Sequence, residues 1–456
     1  MAILGDGRGG VFCENSLEEP SKWDSKTQNA IQLGTFDVIL TNPPYGSKLK
    51  IDDKTILSSY DLGYKWKEKG DVYLKTNKQQ DYQTPQVLFI ERCLDLLKEG
   101  GRLGIVAPES MFCNPSHKYI MNYVESKAQI EAVISMPEEL FQPHTHAKTC
   151  VVLMRKLSAG EKINKNSDIF MAVAKWCGHD SRGNDSRKLA IPYDDIPAIQ
   201  ERFEKFKAGE QLEYDHLGFA IKYSQVINSI YLPIYYNPEI QHGLNLLKSE
   251  YNLVTIAELV DQGLISISNG DEVGKLAYGT GNIPFIRTSD IANWEIKLDP
   301  KQGLSKDIYD SLRDKQDVQA CDILMVKDGT YLVGTCAMVT ELETKIVYQS
   351  HLWKIRSLDH DKLNPYLLLA LLSSPIVKQQ IRAKQFTQDI IDTIGKRINE
   401  LVLPFPKDKN QEARIIEKVQ RVFEKRTEAK SIMREILLNV TPVHDYDNEN
   451  PFLTLL

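Results

Sequence analysis

Asn42-Pro43-Pro44-Tyr45 is the stretch whose residue types suit a definite piece of chemistry. An exocyclic amine on a nucleobase is a poor nucleophile because its lone pair is conjugated with the ring. Two acceptors that hold both amine hydrogens bias the nitrogen toward a pyramidal, nucleophilic form. Asn42 offers its side-chain oxygen. Pro43 offers a backbone carbonyl, kept in place by the fixed φ of two successive prolines. Tyr45 offers a ring face on which an extruded base can stack. No metal or covalent nucleophile is required, because positioning and electrostatics do the work. The competing reading is a rigid Asn-Pro turn after a strand. The aromatic fourth residue and the strand before it favour chemistry.

Other candidates are weaker. His144 and His146 stand at i,i+2 without an evident third ligand, so they read as loop histidines and no metal is expected. Asp328 with Glu343-Thr344-Lys345 has the acid, acid-x-lysine spacing of a restriction nuclease, a pattern that often arises by chance. Gly5-Asp6-Gly7-Arg8-Gly9-Gly10 is tempting as a phosphate loop, but four residues are too few for the strand that such a loop follows.

The tetrapeptide needs a sheet behind it. Phe36 to Thr41 is short, apolar and bounded by Gly34 and Pro43, which reads as a buried strand. The motif then lies at the carboxyl end of that strand, where ligands bind in open α/β sheets. Val11 to Leu17 reads as a further strand. Thr84 to Lys98 has helical spacing and is expected to stop at Gly100-Gly101. Ser116 to Ser126 is a helix with Asn114 as cap and Pro115 first. Arg102 to Pro108, Ile130 to Met136 and Thr149 to Arg155 are strands, and the alternation predicts a mostly parallel sheet. Between motif and helix, residues 47–81 are polar, without clear periodicity and long for a loop. Ile196 to Ala208 is an amphipathic helix. Tyr231 to Pro238, rich in Tyr and Pro, reads as packing rather than a stacking platform for single strands. From Leu253 the chain turns to short strands. Asn364 to Lys384 and Gln411 to Leu438 are helices. The second carries a coiled-coil-like apolar seam from Ile415 to Ile436, interrupted by Arg426.

The chain of 456 residues calls for two or three domains. Its net charge of -6 gives no global basic field, so any nucleic-acid contact must be local. Seven scattered cysteines without a Cys-x-x-Cys pair point to a reduced compartment. No signal peptide or membrane-length apolar run is evident, and a cytoplasmic protein is expected.

Phe36 to Gly46 resembles motif IV of the adenine-specific, S-adenosylmethionine-dependent N-6 DNA methylases. More closely it resembles the modification subunit of type I restriction systems. Gly100 to Pro108, and Phe141-Gln142-Pro143 followed by Lys148-Thr149, resemble the same subunit. Glutamine methyltransferases acting on release factors carry a similar tetrapeptide. The resemblance implies a catalytic role for Asn42, Pro43, Pro44 and Tyr45, with S-adenosylmethionine as cofactor. It implies that Phe141 stacks on the flipped base opposite Tyr45; core packing is the alternative for Phe141. It places Asn15 beside the cofactor, where Asp is usual, with Asn42 as a second cofactor contact. The family's glycine-rich motif I and ribose-binding acid are missing, which implies an amino-terminally truncated enzyme.

Asn282 to Ile291 and Cys321 to Thr330 resemble the target-recognition domain of type I specificity subunits, in a single copy. Arg287 and Lys327 would there contact phosphates or base edges, or else stand as solvated strand-end charges. The implied fold is α/β: a partial Rossmann-like methyltransferase sheet, then a mixed α/β target-recognition domain and a helical spacer. The implied division is 1–157 catalytic, 158–250 connector, 251–406 target recognition and 407–456 spacer and tail. The expected function is methylation of the adenine amine in specific double-stranded DNA, with a restriction nuclease subunit as a further partner. The alternative is a catalytically incomplete DNA-binding or specificity module.

Overall fold

The computed structural model describes residues 10–440 except Ser47, Asp71, Ile191, Thr330, Asp389 and Ile390, and leaves aside the side chains of Thr387, Gln388, Ile391, Leu437 and Leu438. Most of the Gly5–Gly10 run and the tail from Val443 lie outside the described residues. The chain forms two compact units, Met1–Glu239 and Ile240–Leu456.

The first unit is built on a six-stranded sheet. Its strands are β1 (Phe36–Thr41), β4 (Leu97–Pro108), β5 (Ala128–Ser135), β6 (Thr149–Lys156), β7 (Asp168–Val173) and β8 (Phe219–Lys222). A separate two-stranded ribbon consists of β2 (Tyr64–Lys69) and β3 (Val72–Gln79). The sheet order is β1-β4-β6-β5-β7-β8. It is mixed, not mostly parallel: only β1 with β4 and β5 with β7 run parallel. The cause is β6. A parallel neighbour needs a crossover, usually a helix, to carry the chain back across the sheet. Residues 136–148 form only a 3-10 turn, so β6 starts beside the end of β5, with Ser135 opposite Cys150. It then slots antiparallel between β5 and β4.

Helix α1 (Pro85–Leu96) follows the spacing read from sequence, with Thr84 before it and Pro85 in its first turn. Its stop is not at the glycines. The chain passes directly from Leu96 into β4, and Gly100-Gly101 sit within that strand. There the register jumps from Phe36 opposite Leu97 to Val38 opposite Arg102. Gly100 takes φ +73, and a Cβ on Gly101 would lie 3.0 Å from the Phe36 carbonyl oxygen. The glycines are the material of a bulge rather than a helix cap. Val11 to Leu17 is likewise not a strand. Asn15 Oδ1 accepts from Leu17 N at 3.2 Å, and the side chain of this Asn thereby closes a turn that competes with extended structure.

Helix α2 (Lys118–Lys127) is entered through a 3-10 turn, Pro115–His117, in which the amide of Ser116 is held by Asn114 Oδ1 at 3.0 Å. Helix α3 (Ile196–Ala208) ends on Gly209 at φ +73. Tyr231 is fully buried and bonded through its amide to Phe112 O, so the Tyr-Pro stretch packs rather than stacks.

Glu91 of α1 ties down the chain ahead of the ribbon. Its carboxylate accepts from the amides of Asp61 (2.7 Å) and Leu62 (2.9 Å). Burial nonetheless outweighs those donors and lifts its pKa from 4.5 to about 7. A folded-state value above the unfolded one gives stability that is full below about pH 4.5 and lost as pH rises through 7. The shift of about 2.5 corresponds to about 3 kcal/mol. Denaturant titrations at several pH values should show stability falling across this window, and Glu91→Gln should remove that share of the slope. An unchanged slope in the variant would refute the assignment.

In the second unit, β9 (Tyr251–Thr255) pairs antiparallel with a strand at Val402–Pro406. A four-stranded antiparallel sheet joins β10 (Ile265–Asn269), β11 (Ile323–Val326), β12 (Cys336–Met338) and β13 (Leu352–Ser357). The expected helix over 364–384 is two: α4 (Pro365–Leu372) and α5 (Pro375–Lys384). Pro375 lacks the amide that would continue the first helix and its ring clashes with the preceding turn. Helix α6 (Lys409–Val440) buries Val419 and Phe423, and the Phe423 ring lies 5.9 Å from that of Tyr366 on α4. The first half of the seam is thus satisfied inside this unit, while Met433 and Ile436 are exposed.

Candidate functional site

Strand registers bring the loops of one sheet edge together. Thr41 lies opposite Ile105, Pro108 opposite Thr149, and Ser135 opposite Cys150. The carboxyl ends of β1, β4 and β5 therefore share an edge with the start of β6. The tetrapeptide leaves this edge after Thr41, and residues 136–148 leave it after Ser135.

At that edge Tyr45 and Phe141 meet. Their ring centroids are 5.8 Å apart and the planes cross at 70°, an edge-to-face contact. Both rings are half-buried. Phe141 closes the 3-10 turn Glu138–Phe141, and its carbonyl accepts from the amides of His144 (3.0 Å) and Thr145 (3.1 Å). The Gln142–Pro143 peptide that follows is cis. Asn42 is exposed, Pro43 is buried and Pro44 exposed. The buried proline fixes the loop, and the neighbouring amide side chain is left to face outward. Burial pushes the Tyr45 phenol up from its ordinary value, so the ring is neutral. The edge-on contact leaves no parallel slot, so a planar base that enters between the rings must turn one of them.

The other residues singled out from sequence are dispersed. Asn15 is exposed; besides its bond to Leu17 N, its Nδ2 donates to Glu18 Oε1 at 3.4 Å. His146 pairs with Glu138 at 3.2 Å and His144 is exposed. Among the described residues no group of three or more His, Cys, Asp or Glu is placed to hold a metal ion. In the second unit, Arg287 Nε donates to the buried Asp290 at 3.2 Å. Lys327 lines an open cleft of about 690 Å³ with Asn269, Asp328, His351, Trp353 and Lys396. Its Nζ lies 3.4 Å from both Asn269 Oδ1 and Asp328 Oδ2. Arg287 is not among the residues lining that cleft. Glu343, half of the nuclease-like spacing, is spent on Thr340 and Lys430.

Sequence reasoning missed the ribbon. Residues 64–69 and 72–79 form paired strands, not an aperiodic loop. Trp66 packs against Tyr119 and Tyr123 of α2, with centroids at 6.4 and 6.2 Å. The signal was present as alternation of aromatic with lysine through Tyr64-Lys65-Trp66-Lys67, ahead of the turn-prone dipeptide Gly70-Asp71 in the sequence. Polar outward residues hid it from a search for apolar runs.

The N-6 DNA Methylase family model matches residues 7–232. That segment is an N-6 DNA methylase domain. The methylase domain holds the whole edge just described. A Methanocaldococcus jannaschii protein provisionally described as a type II restriction enzyme and methyltransferase is 24% identical over 156 residues. That match covers 34% of this chain and 11% of the relative, so the chain spans a small part of it. Among solved structures, the type IIG restriction endonuclease BpuSI matches at 12% identity, covering 89% of this chain and 50% of its own, with a TM-score of 0.40. A type I modification subunit from Vibrio vulnificus matches at 17%, covering 47% and 38%, with a TM-score of 0.31. The specificity subunit from M. genitalium matches at 18%, covering 41% and 42%, with a TM-score of 0.29. At such scores these likenesses carry no weight for function. No helix among the described residues is long and apolar enough to cross a membrane.

Proposed function

We propose that the methylase domain acts on the exocyclic amine of an adenine flipped out of duplex DNA, within a restriction-modification system. The observation that carries this is the pairing of Tyr45 with Phe141 beside an exposed Asn42. Asn42 Oδ1 and the Pro43 carbonyl take the two amine hydrogens and leave the nitrogen lone pair free to attack. Tyr45 and Phe141 flank the base and shed water from it. S-adenosylmethionine supplies the methyl group when bound.

The described residues do not by themselves fit that cofactor. Asn15 is occupied by its own turn. The outer edge of β1 has no strand partner among the described residues, and Val38 and Leu40 stand exposed, Leu40 by 79%. The same open edge favours a second reading, a DNA-binding module without turnover. Titration calorimetry separates the two: this chain alone is expected to show no micromolar binding of S-adenosylmethionine, and such binding would overturn the view that its pocket is incomplete. We assign residues 251–406 to sequence recognition, with Arg287 and Lys327 as contacts, and 407–440 to a helical spacer.

The base-capture step has its own test. With a fluorescent adenine analogue at the target position, Tyr45→Ala should lower the signal of the extruded base and leave overall DNA affinity nearly unchanged. An unaltered signal would make Tyr45 a packing residue.

A further inference from the structure

Between β7 and α3 the chain builds a lobe, residues 174–195, that leaves the same sheet edge as Tyr45 and Phe141. Strand β7 runs parallel to β5 with Val173 opposite Ser135, so both carboxyl ends lie at that edge. The amide of Ala174, the first residue beyond β7, donates to Ser135 O at 2.9 Å. Ala174 is buried in one apolar cluster with Met136, and Leu140, the residue before Phe141, packs against that cluster. Burial pushes the Cys177 thiol up from its ordinary value, and the Glu139 carboxylate nearby adds to the rise. The foot of the lobe and the turn that presents Phe141 are therefore neighbours.

The lobe is fastened by its own polar groups. Asp195 Oδ2 accepts from the amides of Lys175 (2.7 Å) and Trp176 (3.0 Å), and the Asp195 amide donates to Trp176 O at 3.1 Å. The amide of Gly178 donates to Tyr193 O at 2.9 Å, and Cys177 bridges antiparallel to Asp194. Asp180 Oδ1 closes the far turn on the amides of Arg182 and Asn184, each at 2.9 Å. These bonds set Trp176 beside Tyr193, with ring centroids 4.8 Å apart and planes at 59°. Neither ring is put away: Trp176 is 47% exposed and Tyr193 42%. The open ring faces suit a planar partner.

Pulling one base out of a duplex leaves the opposite base unpaired, with its own faces open. Trp176 follows a strand four steps from β1 in the sheet order, about 19 Å at the usual strand spacing. That separation sets it apart from the base held at Asn42 and suits the opposite strand of the same duplex. Residues 174–195 carry four Lys or Arg against four Asp, so the lobe has no net field for phosphates. What it offers is ring surface, on which any base stacks regardless of sequence. We propose that the Trp176–Tyr193 pair is a second stacking site, which receives the unpaired base of the strand opposite the flipped adenine. This choice of ligand rests on the methylase reading; the open aromatic pair does not.

The test uses the full chain without added cofactor and two duplexes of one sequence, one fully paired and one with a short central run of mismatched thymines. Fluorescence anisotropy should show tighter binding to the mismatched duplex. Trp176→Ala should weaken that binding by about tenfold and leave the paired duplex little changed. Because the contact is stacking rather than charge, the slope of log affinity against log salt should stay as it was. Trp176→Phe, which keeps a ring, should retain most of the preference. With 5-bromouracil in the mismatched run, irradiation of the parent chain should cross-link Trp176 or Tyr193. Equal losses on both duplexes, an unmoved preference in Trp176→Ala, or cross-links that map only elsewhere each overturn the proposal. A preference that depends on Trp176 in a chain that never methylates DNA keeps the stacking site and removes the enzyme reading. Methylation with the preference unmoved in Trp176→Ala does the reverse.

Discussion

In a form of the protein that binds S-adenosylmethionine, Asn42→Ala is expected to lower DNA methylation by at least about a hundredfold, while DNA affinity changes little. The amide oxygen is asked to hold one hydrogen of the amine as the nitrogen becomes pyramidal, an interaction that strengthens only on the way to the transition state. Losing it lowers turnover and spares ground-state binding. The residue is well placed for a clean result. It is exposed, and its side chain makes no hydrogen bond among the described residues, so truncation should change stability by no more than about 0.5 kcal/mol. Methylome sequencing reports the activity and a thermal melt reports the fold. Near-normal modification by the variant would remove Asn42 from the reaction, and a large loss of stability would show that the turn reading was right after all.

How much of this was legible in the chain varies by element, for physical reasons. Phe36 to Thr41 was found as a strand because Gly34 and Pro43 bound an apolar run, but it is not the buried strand expected, since none of its residues is buried; α3 was found by its amphipathic spacing. The convergence of Tyr45 and Phe141, which lie 96 positions apart, was expected only from family resemblance; strand registers that composition does not encode produce it. Periodicity carries no information on direction, so the antiparallel insertion of β6 could not be read. Gly100-Gly101 shows the same limit. A glycine pair after a helical run fits a cap or a bulge equally well, and the need for φ +73 at Gly100 is decided by pairing to Phe36 and Val38. The ribbon was missed for a different reason: its buried side is aromatic and its outward side is lysine, and an apolar-run search sees neither. Arg426 was read as a flaw in the seam of α6. It donates to Asn293 O at 2.6 Å, so the polar interruption is itself a docking point.

Lys430, one turn further along α6, should prove the more costly residue to lose. Its ammonium is buried, 2.7 Å from Glu343 Oε1, 3.1 Å from Ile296 O and 3.6 Å from Glu295. Glu343 cannot swing to water when the lysine is removed, because the amide and hydroxyl of Thr340 hold its other oxygen at 3.1 and 2.8 Å. Lys430→Ala therefore strands a buried carboxylate and is expected to destabilise the second unit by about 3 kcal/mol. The double change Lys430→Met/Glu343→Gln removes both charges, keeps the volume and should recover most of that loss. Urea midpoints for the single and double variants decide the matter. A single variant that loses less than about 1 kcal/mol would mean that solvent reaches the pair. A double variant no better than the single would mean that the hydrogen bond of the lysine to Ile296 O, not the stranded carboxylate, sets the loss.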